Sequence, residues 1–164
     1  MTITEFATIR FYSPLDFSKP TPHTLRILSD WQSACSGFPL YLFTDEGDPC
    51  IIHLVTGWTS VEAHEAWICS ERNQALKRIF EPYVDVGGVR MAHVDVEFGR
   101  VPRDGGLVIE RHHSDSNREG VEGDLVGRDL GQSGDVYRFV GGTGQGCCGV
   151  GPSERWVLKR VHIC

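Results

Sequence analysis

The run CIIHLVTGW, Cys50 to Trp58, limits the fold more than any other stretch. Its apolar and β-branched residues fall on odd and even positions alike, and one histidine, His53, sits among them. Side chains of a strand point alternately to two faces, so this strand must be covered on both sides. His53, Ile51 and Val55 share one face, and Ile52 and Leu54 share the other.

The surrounding pattern supplies one of the two covers. ITEFATIRFY (3–12) reads as a first strand, in which Ile3, Ala7, Ile9 and Phe11 alternate with Thr4, Thr8 and Arg10. Pro14 and Pro20 bracket a loop, and Thr21-Pro22 is a helix start. Leu25, Leu28, Trp31 and Cys35 then recur at helical spacing until Gly37 and Pro39. Leu40–Thr44 and Cys50–Trp58 make a hairpin around the turn residues Asp45 to Pro49. Thr59 and Glu62 have capping-box spacing for a second helix. Ser70 caps a third, with Leu76, Ile79, Phe80 and Tyr83 on one face. Pro82 falls near its end and Gly87-Gly88 allows a turn, after which VRMAHVDVEF resumes as a strand. The order to residue 98 is strand, helix, strand, strand, helix, helix, strand. Apolar-faced helices cover one face of such a four-stranded antiparallel sheet. A second copy of the chain is the economical cover for the other, so a homodimer is expected.

Beyond residue 98 the texture changes. Leu107–Glu110 reads as a further strand, and HHSDSNREGVEGD is polar. DVYRFV and RWVLKRVHI read as strands separated by the glycine-rich GGTGQGCCGVGPSE, which lacks the strand and helix context of a nucleotide-binding loop. This divides the chain into residues 1–111, a folded domain, and 112–164, a Gly-rich extension. That extension forms either a β-hairpin added to the sheet or a loosely attached tail. No convincing internal repeat is visible.

Composition removes several classes of function. With 16 basic and 22 acidic residues the net charge is -6, which argues against nucleic acid or an anionic membrane as partner. No apolar run approaches the roughly 20 residues a membrane-spanning helix needs. The N-terminus has no basic region followed by an apolar core, so a cytoplasmic location is expected. Cys35, Cys50, Cys69, Cys147, Cys148 and Cys164 form no C-x-x-C pair, and no Cys/His spacing matches a structural zinc site. Reduced thiols and no metal are expected.

From Ile3 to Phe98, roughly three-fifths of the chain, the sequence resembles the antibiotic biosynthesis monooxygenase-like (ABM) group of the dimeric α+β barrel superfamily, most closely its fungal members. The residues that carry the resemblance are ITEFATIRFY, GWTSVEAHEAW, NQALKRIFEPYV and HVDVEF, in that order. The resemblance implies an α+β fold, a ferredoxin-like four-stranded antiparallel sheet with helices on one face, two of which form a dimeric barrel. It implies a pocket between sheet and helices for small hydrophobic molecules, often polyketide-derived phenols or quinones of secondary metabolism. Several members oxidise these with molecular oxygen and no bound cofactor. Other members degrade haem. Their helical tryptophan falls on Trp67, but their strand-one asparagine falls on or next to Ile9 and their haem-ligating histidine at about Lys77, so two of three signatures are missing.

A cofactor-free oxygenase needs a base that removes a proton from an acidic phenol or anthrone, a donor for the oxyanion, and a dry pocket. Histidine suits the first role. His53 and His93 lie in apolar strands of what the resemblance makes one sheet, and both are expected to reach one cavity as catalytic groups. Arg10 is the candidate oxyanion donor. Trp67, His64 and Tyr83 are the candidate substrate contacts, with Tyr41 a further donor. Burial in the core is the competing role for the histidines and for Trp67, and a salt bridge for Arg10. A polyketide cyclase or isomerase would need almost the same parts, and a noncatalytic ligand-binding or dimerisation domain none of them.

Overall fold

The computed structural model describes residues 2–16, 23–103, 105–113, 125–131, 133–142 and 153–161. The first half follows the order read from the sequence: β1 (Ile3–Arg10), α1 (His23–Ser36), β2 (Tyr41–Asp45), β3 (Ile51–Trp58), α2 (Val61–Cys69), α3 (Glu71–Phe80) and β4 (Arg90–Val94). The start expected at Thr21-Pro22 lies outside the described residues. Helix α2 is capped one residue later than expected. The Ser60 hydroxyl, not that of Thr59, accepts from the Ala63 N–H. Ser70 caps α3 through the Asn73 N–H, as its position before the apolar stripe requires.

Four more strands follow: β5 (Gly106–His112), β6 (Leu125–Arg128), β7 (Val136–Gly141) and β8 (Glu154–Val161). All eight form one sheet in the order β4-β1-β3-β2-β8-β5-β7-β6. Within the first quartet the order is fourth, first, third, second. The second quartet, counted from its own first strand, repeats that order. The repeat lies in topology, because the second quartet carries no helix among the described residues. The quartets join where β2 pairs with β8, Leu42 opposite Val161. They meet again at the far edges, where Val94 and Asp129 form a bridge. There the Asp95 N–H donates to the Arg128 carbonyl at 2.8 Å and the Leu130 N–H to that of His93 at 2.7 Å. The result is a nearly closed antiparallel α+β barrel.

Two cores follow from the two faces of β1 and β3. Ile3, Ala7, Ile9, Ile52, Leu54 and Trp58 pack outward against Leu25 and Leu28 of α1, Trp67 of α2, and Leu76 and Phe80 of α3. The other face looks into the barrel, where Phe6, Phe43 and Val55 meet Ile109, Phe139 and Leu158 from the second quartet. The face that the sequence assigned to a second copy is therefore covered by the chain's own C-terminal half. Stacked and edge-on rings fill this interior, among them Tyr41 on Phe98 at 5.4 Å and Phe6 on Trp156 at 5.1 Å.

The edge-to-edge seam depends on Gly127. A Cβ there would stand 2.5 Å from Val96 Cγ2, 2.8 Å from the Asp95 carbonyl oxygen and 2.9 Å from Val94 Cγ1. Backbone cannot yield as a flexible side chain does. Gly127→Ala is expected to lower stability by about 1–3 kcal/mol, measured by urea unfolding. A value within error of zero would mean that the seam is not closed in solution.

Candidate active site

Glu5 stands on β1 between Ile3 and Ala7 in the outward stripe, and is 3% exposed. A carboxylate in that stripe faces the helices, and α1, β3 and α2 each bring a polar side chain to it. Trp58 of β3 donates its Nε1–H to Oε2 at 2.6 Å, and Gln32 of α1 donates its Nε2–H to the same oxygen at 2.8 Å. His64 of α2 places Nε2 3.5 Å away. Burial outweighs the two hydrogen bonds and raises the Glu5 pKa from 4.5 to about 7.

His64 and His93 complete the array. His64 stacks on Trp58 with ring centres 4.6 Å apart, and its Nδ1 lies 2.6 Å from His93 Nε2. Burial first, and then the neighbouring His93, push the His64 pKa down to about 3. His64 is thus neutral at physiological pH and has one N–H. With Nε2–H toward Glu5, its Nδ1 accepts from His93 Nε2–H, and donation runs in one direction toward the carboxylate. Burial also lowers the His93 pKa, against the opposing charges of Asp129 and Glu65. The His93 carbonyl is held by Leu130 at the seam, so the second quartet fixes the outer end of this chain.

Glu5 and His64 form the polar end of a cleft of about 230 Å³ between the sheet and the helices. Ala7, Ile9, Leu54 and Trp67 make its apolar walls, and α3 adds Leu76 and Phe80. The volume is below the ~300–1,000 Å³ of sites for drug-sized ligands. At about 230 Å³ the cleft is also too small to enclose a haem. Among the described residues no three His, Cys, Asp or Glu side chains converge as a metal site.

Of the expected site residues, the structure brings His64 and Trp67 to this cleft, sets His93 behind His64 and leaves three elsewhere. His53 and His93 do not share a cavity. His53 is paired with Thr8 and His93 with Glu5, so the two imidazoles leave the sheet on opposite faces. His53 is wholly buried in the barrel. Its Nδ1 accepts from Thr8 Oγ1 at 3.0 Å and its Nε2–H donates to Asp45 Oδ2 at 3.0 Å. Its ring stacks on Phe6 at 5.4 Å. Burial lowers its pKa more than Asp45 raises it. Both ring nitrogens are engaged, which is the structural role named as the competitor. Arg10 is 54% exposed and paired with Asp48 at 2.9 Å, so it holds a loop and no oxyanion. Tyr83 is 54% exposed outside the cleft, because α3 ends at Phe80 and the helical stripe does not reach it. The group missed in the sequence is Glu5. Its signal was a carboxylate in register with the apolar positions of β1.

No family model matches the chain, and no curated protein matches it. Solved structures do. A presumptive monooxygenase from Lactobacillus acidophilus NCFM superposes with a TM-score of 0.51 at 8% identity, covering 84% of this chain and 75% of its own. A presumptive chlorite dismutase superposes with a TM-score of 0.57 at 9% identity, covering 98% of this chain and 96% of its own. At such identities the likeness shows the fold. It extends through the C-terminal quartet, well past the stretch whose sequence resembles the ABM group.

Proposed function

We propose that this protein is an ABM-like enzyme that binds a small aromatic molecule in the cleft and removes a proton from it with Glu5. The observation that carries the proposal is a buried carboxylate with a pKa near neutrality at the wall of a largely apolar cleft. A base is most effective when its pKa lies near the working pH. Glu5 takes the role that the sequence reading gave to His53 and His93, while Trp58, Gln32 and His64 hold it in place. Trp67 supplies an aromatic wall on which a ring can stack.

Phenols and anthrones suit this base. Deprotonation gives a carbanion that passes one electron to O2. The substrate radical and superoxide then combine into a C–O bond, and protonation by Glu5 gives a hydroperoxide. Loss of the second C–H proton and cleavage of the O–O bond release water and leave a carbonyl, so one CH2 and one O2 become C=O and H2O. The same proton abstraction without oxygen would serve an isomerase or cyclase.

Oxygen consumption by metal-free protein should appear with members of an anthrone and hydroquinone panel. It should fall about 10²–10⁴-fold in Glu5→Gln and be unchanged in His53→Gln protein that remains folded. Turnover that persists under argon would assign the cyclase role, and ligand binding without turnover a carrier role. The homodimer expected from the sequence loses the task of closing the barrel, which β5–β8 perform. Sedimentation will show whether complete barrels pair, at 18.3 kDa per chain.

A further inference from the structure

The cleft has a second polar end, on α3. Asn73 and Lys77 both line it, and a spacing of four residues puts them one turn apart on the same helix face. Glu5, Gln32 and His64 satisfy one another, but these two side chains have nothing comparable. Asn73 Oδ1 is buried with no hydrogen-bond partner, and Lys77 makes no ion pair among the described residues. Between them and beyond, the same face is Leu76 and Phe80, both buried. A half-buried cation and an unpartnered amide on an apolar wall are costly unless something polar meets them.

Resting on the base assignment above, we propose that the cleft binds an aromatic carboxylate, its anionic group on Lys77 and its acidic hydroxyl or C–H at Glu5. Asn73 orients that anion. No neighbour fixes its amide, which can turn to donate Nδ2–H alongside the Lys77 ammonium. The apolar body between the two ends lies against Ile9, Leu54 and Trp67. A cleft of about 230 Å³ limits that body to one or two rings. This narrows the substrate class from phenols and anthrones in general to small hydroxylated aromatic acids or close equivalents.

The probes are 2-naphthol and 6-hydroxy-2-naphthoate, titrated by calorimetry at pH 6, where most Glu5 is neutral and does not repel an anion. The carboxylate is expected to bind wild-type protein at least tenfold more tightly than the naphthol. Lys77→Met should bring the two affinities within twofold of each other. Asn73→Ala should reduce the preference part of the way. Neither residue belongs to a sealed core, and circular dichroism will confirm the fold of both variants. Equal affinities in the wild type, or a preference that survives Lys77→Met, would overturn the carboxylate assignment and leave the Glu5 reading standing. If neither probe binds, both fall.

Discussion

Glu5→Gln is expected to make the protein more stable at high pH. The folded-state pKa of Glu5, about 7, lies above the unfolded value of 4.5. The folded state therefore binds the proton more tightly. The stability this group contributes is complete below pH 4.5 and is lost as pH rises through 7. The full loss is on the order of 3 kcal/mol, from 2.5 pH units at 1.36 kcal/mol each. Glutamine has a similar shape, still accepts from Trp58 and Gln32, and never ionises. Urea unfolding of the two proteins should therefore agree near pH 4.5 and diverge by about 3 kcal/mol at pH 9, the variant being more stable. His64 works in the opposite sense, since its depressed pKa makes the fold gain stability as pH rises from 3 to 6.5. Both proteins contain His64, so the difference between them isolates Glu5. A constant difference across the range would mean that Glu5 titrates as it would in water.

Phe139→Ala should cost about 3–5 kcal/mol, as large as any single truncation in the molecule. Phe139 is 1% exposed and stands opposite Ile109 on β5 and Leu125 on β6, inside the barrel with Phe6 and Phe43. The same substitution in a loosely attached tail would cost almost nothing. Calorimetric unfolding thus distinguishes a C-terminal half that completes the core from one that merely follows it. A single transition with a lowered midpoint is expected. Unchanged melting would place β5–β8 outside the cooperative unit.

The first half was legible because its elements are long and periodic. β3 runs eight residues, and α1 and α3 show apolar positions three and four apart. The two-sided burial of β3 was also legible, but not what provides it. Nothing local in LVGR marks β6, since four residues with a glycine inside carry almost no period. Likewise VRMAHVDVEF suggested a longer strand than β4. It stops at Val94 because the next residues turn to meet Arg128. Histidines drew attention because they interrupt apolar runs. Yet the register across β1 decides which face each one leaves by, and register is a property of pairing that no single strand contains. Glu5 was hidden for a related reason, since its neighbours in space come from α1, β3 and α2.

A barrel assembled from two identical chains must carry every pocket twice, related by a symmetry axis. Here the two quartets repeat one topology with different side chains, and that obligation is lifted. Among the described residues the helices and the cleft belong to the N-terminal quartet, and its counterpart pins His93 from across the seam. The cleft therefore has no symmetry-imposed twin among the described residues.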